Sequence, residues 1–229
     1  MQKFAVISDI HANKEALDAV LVVLEGLDVI CLGDFVDYGA QPNEVIGALR
    51  ERGAKSIVGN HDVAALTGDT SQFNPRAAMS SMWTRTRLSM ESRGYLGSLP
   101  DEIRTRVMDV ELYFTHGSPD DHLWEYVDPR THSDLFRFYL DRMKVRCMGL
   151  GHTHIPYVWK EGERVVFNPG SVGQPRDKDP RASFALVSVE GEKVEVEIQR
   201  VAYDVEKAAS RIRGAGLPAS HADRLSTGT

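Results

Sequence analysis

The chain has 229 residues, of which 42% are hydrophobic and 26% are charged, which favours one compact globular domain and excludes a chain disordered by composition. The formal net charge of -6 lacks the global positive field of a duplex-binding module, although it leaves room for a local basic pocket. No apolar stretch approaches the roughly 20 residues that cross a bilayer, and no signal peptide is recognised, so we expect a cytoplasmic protein. Cys31 and Cys147 each end a short apolar run and are predicted to be reduced, buried thiols; a disulfide between them is an alternative without support.

The first half of the chain alternates between strand and helix patterns. Short apolar runs at residues 4–8, 27–32 and 56–58 predict strands, and each run stops at a polar residue or a glycine. Between them, apolar residues recur at helical spacing after Asn13, a plausible N-cap, and again over residues 42–49. This repetition is typical of an α/β fold, in which ligands bind at the carboxyl ends of the strands.

The rest of the chain changes character twice. Residues 63–100 are rich in Ser, Met, Arg and Thr and predict a helical insert that could cover a functional site. After it, β patterns dominate up to residue 201, and a helix follows over residues 204–213. We therefore predict a single domain over residues 1–213 and a C-terminal tail over residues 214–229, whose Ala, Ser and Thr content favours fraying.

Five segments each put a metal-competent side chain directly after an apolar strand. If these strands lie side by side in one sheet, their side chains converge on one edge. Five of the 8 histidines fall in these segments, and this concentration carries more weight than any single match. In chain order the segments are Asp9-Ile10-His11, Gly33-Asp34-Phe35-Val36-Asp37, Gly59-Asn60-His61-Asp62, His116-Gly117 and Gly151-His152-Thr153-His154.

The ligand types in these segments are chemically coherent. Imidazole, carboxylate and amide oxygen suit Mn, Fe, Zn, Ni or Co, and none of the segments supplies a thiolate. Asp34 is a short carboxylate that can bridge two cations, while His152 and His154 can diverge to two ions. Two ions about 3.5–4 Å apart would clamp the oxygens of a phosphoryl group and lower the pKa of the water between them. The pattern therefore predicts a dinuclear centre for phosphoester hydrolysis.

Each segment also has an ordinary structural interpretation. Asp9 could cap the following helix, Asn60 and Asp62 could be turn residues, and His116 could be a core histidine with satisfied hydrogen bonds. Each interpretation is reasonable alone. Together they require five independent coincidences in the right order, so a shared site is the stronger hypothesis.

Taken in order, D-x-H, G-D-x-x-D, G-N-H-D, H-G and G-H-T-H resemble the motifs of the calcineurin-like metallophosphoesterase superfamily. The resemblance spans residues 4–205 and is nearest to its small prokaryotic phosphodiesterase group, the YfcE/MJ type, whose loop matches N-P-G-S-V-G at residues 168–173. It implies an α/β (α+β) fold, a four-layer αββα sandwich of two mixed β-sheets flanked by helices. Protein Ser/Thr phosphatases of the superfamily carry Arg and Glu where this chain has Tyr38 and Asp62, which argues against that subgroup.

The resemblance also implies a role for each motif residue. The first metal ion would be held by Asp9, His11, Asp34 and His154, and the second by Asp34, Asn60, His116 and His152. His61 would protonate the leaving oxygen or hold the phosphate, and Asp37 would orient His61 by accepting its other N–H. Two divalent ions are expected as cofactors, manganese before iron, nickel, cobalt or zinc.

Weaker candidates for substrate contact lie close to the motifs in the sequence. They are Tyr38, Asn168, Ser171 and Arg176, each with an ordinary alternative as a rim, turn or solvated-loop residue. Arg85 and Arg87 beside Trp83 could form part of a cap pocket, but a helix that packs Trp83 inward is the stronger prediction.

The expected function is hydrolysis of a phosphodiester or phosphomonoester, small and nucleotide-like, by in-line attack of a metal-bridging hydroxide. The acidic charge counts against long nucleic acid as a partner, no membrane partner is expected, and a homodimer is an option without sequence support. The alternative is a catalytically silent scaffold of the same fold that binds proteins. The presence of all seven candidate ligands and of His61 argues against that alternative.

Overall fold

The structure is a computed structural model that describes the backbone of residues 1–229 and every side chain except those of residues 129, 131 and 132. The strands are β1 Gln2–Ile7, β2 Asp28–Cys31, β3 Lys55–Ser56, β4 Glu102–Val107, β5 Val110–Thr115, β6 Cys147–Leu150, β7 Tyr157–Glu161, β8 Arg164–Asn168, β9 Ala182–Glu190 and β10 Lys193–Val201. The helices are α1 Lys14–Val23, α2 Pro42–Glu51, α3 Asn60–Thr67, α4 Pro75–Arg87, α5 Met90–Leu96, α6 Pro129–Met143, α7 Val205–Gly214 and α8 Ala219–Asp223, followed by a 3-10 turn at Arg224–Ser226.

The strands form two five-stranded sheets, ordered β10-β9-β1-β2-β3 and β4-β5-β6-β8-β7. In the first sheet, β1 pairs with β2 in parallel and with β9 antiparallel. In the second, β6 pairs in parallel with β5 and β8, while β4 and β7 are antiparallel edge strands. The parallel pairs β1-β2, β2-β3 and β5-β6 are connected through the helices α1, α2 and α6, whereas β6 and β8 are connected through the edge strand β7. The helical connections account for the α/β alternation in the first half of the sequence.

Alternate side chains of the strands enter different layers, as the period of two of a β-strand requires. Phe4 and Val6 of β1 join the apolar core between the sheets, where the ring of Phe4 meets that of Phe114 edge-on at 6.4 Å. Ile7 lies on the opposite face, in a buried cluster with α1 and α2. Tyr113 of β5 packs in the same way against α6. The order helix, sheet, sheet, helix confirms the predicted four-layer sandwich of two mixed sheets.

The C-terminal residues 214–229, predicted as a tail, instead include α8 and the 3-10 turn. Leu217 and Leu225 are buried in a cluster that also contains Trp83 of α4, and Trp83 Nε1 donates a hydrogen bond to the Ala215 carbonyl oxygen at 3.1 Å. Trp83 therefore packs inward, as predicted. A few apolar residues dispersed among polar ones leave no periodic signal, which is why composition favoured a tail.

Both cysteines are free and buried, as predicted from their positions at the ends of apolar runs. Cys31 ends β2 and Cys147 begins β6, and burial raises the pKa of both thiols. Within the part of the chain that the structure describes, no helix has the length and apolar character needed to cross a membrane.

Candidate metal centre

The seven candidate ligands meet at one end of the sandwich and are all buried. Four of them follow strands of the first sheet, namely Asp9, His11, Asp34 and Asn60. Three follow strands of the second sheet, namely His116, His152 and His154. The expectation of a single sheet edge is thus corrected. The carboxyl ends of parallel strands from two stacked sheets lie together, and the candidate ligands converge across the gap between the sheets.

Two groups of possible ligand atoms share one residue. In each group the atoms lie within 4.8 Å of one another; the first consists of Asp9, His11, Asp34 and His154, and the second of Asp34, His116 and His152. The amide oxygen of Asn60 lies 3.0 Å from His116 Nε2 and so adjoins the second group. The grouping matches the two ligand sets that the family resemblance implies, with Asp34 between them.

Main-chain carbonyl oxygens orient three of the imidazoles from behind. A carbonyl oxygen can only accept, so each Nδ1 carries the proton and donates it. In the neutral ring, Nε2 then keeps a lone pair directed into the cluster, which is how outer partners orient metal-binding histidines. The three bonds run from His11 to Val36 (2.8 Å), from His116 to Leu32 (2.7 Å) and from His154 to Gln174 (2.6 Å).

The cluster holds more acceptors than donors. His11 Nε2 and His154 Nε2 lie 3.1 Å apart, and burial lowers the pKa of both rings well below its ordinary value, so two lone pairs face each other. Among the described residues, Asp9 Oδ1, Asp34 Oδ2 and His152 Nε2 have no hydrogen-bond partner. Buried acceptors without partners are costly, and divalent cations satisfy them. This donor set therefore fits metal ions.

Asp34 and His116 influence each other strongly. Burial alone would raise the pKa of Asp34, but the His116 and His61 rings hold it well below its ordinary value. Burial alone would lower the pKa of His116, but the Asp34 carboxylate, 3.4 Å from Nε2, raises it to about 9. A metal ion would compete with the proton on His116, because metal binding requires the unprotonated ring.

Seven predicted site residues have left-handed backbone, with φ values of 55° at Asp9, 48° at His11, 55° at Asp34, 68° at Asp37, 61° at Tyr38, 67° at His152 and 59° at His154. Such conformations cost about 1–3 kcal/mol each and cluster at functional sites. Hydrogen bonds between the loops hold them: the Ile10 and His11 N–H groups both donate to the Asp34 carbonyl oxygen, at 2.9 and 3.0 Å. Asp and His adopt left-handed backbone more readily than most residues. The sequence is therefore compatible with these turns, although it did not predict them.

Asp62, which the sequence also allowed as a simple turn residue, joins two ligand loops. Its carboxylate accepts the N–H groups of Asp34 and Phe35, both at 2.9 Å, and that of Gly59 at 3.0 Å. Gly59 itself must lack a side chain, because a Cβ there would collide with Asp34. The spacing from Gly59 to Asp62 is that of a capping box at the start of α3. This spacing was the sequence signal that could have indicated the structural role of Asp62.

His61 lies beside the cluster with different surroundings. Its Nδ1 donates to Asp37 Oδ2 at 2.8 Å, and the ring of Phe73 stacks on it with 4.4 Å between centroids. Asp37 is fully buried, which raises its pKa although the hydrogen bond from His61 opposes that rise. With Nδ1 engaged, Nε2 is the ring nitrogen left for chemistry in the adjoining cavity, which His61 lines.

The cavity in front of the cluster has a volume of about 900 Å³. Asp34, Asn60, His61, His152 and His154 form its floor, and its walls carry the aromatic residues Tyr38, Phe73, Trp124 and Tyr126 and the cations Arg76, Arg176 and Arg224. Sequence reasoning identified Tyr38 and Arg176 as candidates for substrate contact, and both line this cavity. It missed Phe73, Trp124, Tyr126 and Arg224, which lie in loops or in the C-terminal segment without a distinguishing pattern.

Asn168 and Ser171, the other two candidates for substrate contact, lie behind the ligand loops and do not line this cavity. Asn168 Nδ2 donates to the Gly151 carbonyl oxygen at 2.5 Å, and Ser171 Oγ donates to that of Asp9 at 2.7 Å. Both side chains are fully buried, so their polar atoms serve the backbone that carries the candidate ligands. The structure thus gives them a supporting position instead of the expected contact with substrate.

Comparison with known proteins agrees with this geometry. The family profile for the calcineurin-like phosphoesterase superfamily domain matches residues 2–192. An uncharacterised protein of Methanocaldococcus jannaschii is 37% identical over 244 residues, which cover 98% of this chain and 97% of that protein. The crystal structure of a metallophosphoesterase from Sphaerobacter thermophilus has 34% identity and a TM-score of 0.84, covering 100% of both chains. A hypothetical protein from Pyrococcus horikoshii OT3 shares the fold, with a TM-score of 0.89 at 24% identity over 100% of this chain and 99% of that one.

Proposed function

Because this chain belongs to the calcineurin-like phosphoesterase superfamily, we propose that it is a dinuclear-metal-dependent enzyme that hydrolyses small phosphodiesters or phosphomonoesters. The observation that carries this proposal is the pair of buried acceptor clusters that share Asp34 and form the floor of the cavity. Unpaired acceptor atoms at Asp9, Asp34 and His152 support metal binding independently of the family. Such a floor serves hydrolysis better than protein docking, which needs no buried acceptors.

The proposed ligands are Asp9, His11, Asp34 and His154 for one ion and Asp34, Asn60, His116 and His152 for the other. When bound, two divalent ions, manganese by preference, would polarise the phosphoryl group and allow water to act as a nucleophile near neutral pH. The main-chain carbonyls behind the imidazoles keep the Nε2 lone pairs directed at these ions, and Asp62 keeps the Asp34 loop in place.

The proposed acid is His61. Asp37 accepts a hydrogen bond from its Nδ1 and orients the ring, so that Nε2 can donate a proton to the leaving oxygen in the cavity. The main-chain N–H of His61 donates to Asp34 Oδ1 at 2.9 Å, which fixes the ring beside the metal cluster. A positioned acid of this kind contributes typically 10²–10⁴-fold to rate.

The walls of the cavity favour a substrate with a flat group, such as a nucleotide. Phe73 stacks on His61, and Trp124 lies 5.3 Å from Phe73, while Tyr126 stacks on His152 at 4.1 Å. Aromatic faces of this kind bind nucleobases with about 1–3 kcal/mol per base. The net charge of -6 disfavours long nucleic acid, and the free, buried cysteines suit the reducing cytoplasm that we propose as its location.

The test is hydrolysis of p-nitrophenyl phosphate and bis-p-nitrophenyl phosphate by metal-stripped protein titrated with Mn, Ni, Co, Zn or Mg. We expect turnover that depends on metal, and the preferred ester will separate phosphatase from phosphodiesterase activity. His122→Gln is the control variant and should keep the turnover of the wild type. His122 lies outside the cavity, with its Nε2 3.7 Å from a carboxylate oxygen of Glu102. Silence on both esters in protein shown by calorimetry to bind two ions would reject hydrolysis and favour the protein-binding scaffold.

A further inference from the structure

Two arginines that are distant in the sequence meet at one wall of the cavity. Arg176 Nη2 and Arg224 Nη1 both donate to Gln174 Oε1, at 3.1 and 3.2 Å, and both side chains line the same cavity as His61. Two guanidinium groups that share one acceptor repel each other. Burial and the neighbouring Arg176 together lower the pKa of Arg224, which shows the cost of this arrangement.

No acidic side chain among the described residues pairs with either guanidinium. Asp177 and Asp179 follow Arg176 closely in the sequence, but they form ion pairs with Arg200 and Arg181. Among the described residues that line the cavity, Asp34 is the acidic one, and it belongs to the metal cluster.

The donors of the arginine pair are only partly used. Arg224 Nε donates to the main-chain oxygen of Thr229, whereas Arg176 Nε is buried and has no partner within the described part of the chain. A buried cationic donor without an acceptor is costly unless a ligand supplies one. The pair therefore has the composition of an anion site.

Gln174 connects this pair to the metal centre. Its main-chain oxygen accepts the Nδ1 proton of His154 at 2.6 Å, while its side-chain oxygen holds both guanidinium groups. The Gln174 side chain is 1% exposed, so it is a rigid support. The main-chain N–H of Arg176 also donates to the His154 carbonyl oxygen at 3.3 Å. The two arginines therefore lie directly beside a candidate metal ligand.

We propose that Arg176 and Arg224 form a second anion subsite, which binds a phosphate adjacent to the phosphate held at the metal centre. The substrate class is then a nucleotide-like phosphoester with two neighbouring phosphates, and this assignment rests on the proposed hydrolase function. The charge balance supports this second subsite. Two divalent ions and the carboxylates of Asp9 and Asp34 together leave a surplus of positive charge, which one phosphate dianion balances. The Arg176 guanidinium, whose buried Nε has no partner among the described residues, calls for a further anion, and the planar donor sets of both arginines suit phosphate oxygens.

The experiment measures binding of ADP and AMP by calorimetry to manganese-loaded protein at a fixed free manganese concentration. It uses the His61→Ala background, so that neither nucleotide is consumed. We expect ADP to bind about tenfold more tightly than AMP, a difference of about 1.4 kcal/mol. Arg224→Gln and, independently, Arg176→Gln should reduce this ratio to about threefold or less. Because the two arginines lie on different segments, agreement between the variants excludes a local folding defect as the cause.

Arg106→Gln is the matched control, because it removes one positive charge from an exposed ion pair with Glu111 on β4 and should leave the ratio unchanged. A wild-type protein that hydrolyses p-nitrophenyl phosphate but binds ADP and AMP equally would overturn the second subsite and leave the hydrolase function intact. Equal loss of AMP and ADP affinity in both arginine variants would assign the pair to the reacting phosphate and also overturn it. Absence of metal-dependent hydrolysis of either ester would overturn the hydrolase function and the subsite with it.

Discussion

The histidines of this site differ in what their Nδ1 atoms face. His11, His116 and His154 donate to carbonyl oxygens, whereas His61 donates to the carboxylate of Asp37. A carbonyl partner keeps a proton on Nδ1, so that Nε2 is the nitrogen that can bind a metal ion once it is unprotonated. The carboxylate partner of His61 fixes the tautomer and the orientation of the ring, with Nε2 left for the proposed proton donation. The partner behind each ring thus separates the candidate ligands from the candidate acid.

Replacing Asp37 with Asn should test the acid role. We expect Asp37→Asn to lower kcat by about 10²-fold while two metal ions stay bound, because the positioned acid loses its anionic partner. The loss should be larger for phenyl phosphate, whose leaving group needs protonation, than for p-nitrophenyl phosphate. An equal loss on both esters would show that Asp37 does not act through proton donation.

Asp34 is the residue shared by both acceptor groups, so its charge should matter most. We expect Asp34→Asn to reduce bound metal below two ions per chain and to abolish metal-dependent turnover. The measurement is metal content after dialysis, together with ester hydrolysis. Full activity in this variant would reject the dinuclear mechanism.

At the scale of elements, the loop after β2 and the start of α3 act as one unit. Asp62 of α3 accepts N–H groups from Asp34, Phe35 and Gly59, so it ties this loop to the helix. All these groups are buried, and losing the carboxylate would leave several donors without acceptors. The metal cluster therefore depends on a residue that is not among its proposed ligands.

Truncation of the Asp62 side chain should destabilise the folded protein. We expect Asp62→Ala to lower the free energy of unfolding by about 3 kcal/mol or more, since each buried donor left unsatisfied costs about 1–3 kcal/mol. Asp62→Asn keeps one acceptor oxygen and should lose clearly less. Urea unfolding of the metal-free proteins provides the measurement, and equal stability of the wild type and Asp62→Ala would contradict the bracing role.

At the scale of the whole molecule, the site links the stability of the sandwich to its metal ions. The candidate ligands follow strands of both sheets, so ions held between them would also join the sheets. A ligand present at 100 times its Kd stabilises the native state by about 2.7 kcal/mol. For a domain of this size, that corresponds to a rise in Tm of about 5–10 °C. Manganese should raise the Tm of the stripped wild type by this amount, and Asp34→Asn should show a smaller rise or none.

Stability of the metal-free protein should also depend on pH. Burial lowers the pKa of His152 to about 3 and that of His221 to about 4, so the unfolded chain binds protons that the native state does not. This contribution is complete above the unfolded pKa of about 6.5 and is lost as the pH falls towards 4. His116 acts in the opposite direction: its pKa is raised to about 9, so its contribution is complete below about 6.5 and is lost as the pH rises through 9.

We therefore expect the Tm of metal-free protein to be highest near pH 7 and to fall towards both pH 5 and pH 9. His221→Gln should weaken the decrease on the acid side, because it removes one of the buried neutral imidazoles. Thermal unfolding at pH 5, 7 and 9 is the measurement. A Tm that rises from pH 7 to pH 5 would contradict the interpretation of His152 and His221 as buried imidazoles that are neutral in the native state.

The sequence by itself determined the α/β alternation, the two mixed sheets through the family motifs, and which side chains converge. The alternation and the convergence follow from local order, since the candidate ligands come after short apolar runs, whereas the two sheets were implied by the family resemblance. Reduced, buried cysteines followed in the same way from their places in apolar runs. The N-cap of α1 was also predicted correctly: the side-chain oxygen of Asn13 accepts a hydrogen bond from the Ala16 N–H at 3.1 Å.

Only the tertiary structure decided which way the surrounding residues face. Asn168 and Ser171 lie near the candidate ligands, as their sequence neighbourhood suggested, but packing turns them towards the backbone and away from the cavity. Arg224 is 50 residues from Gln174 in the sequence, and only folding of the C-terminal segment brings them together. Such contacts join parts of the chain that are distant in the sequence. They could not be predicted, because the local periodicity of a segment indicates which of its residues are buried but not which other segment they pack against.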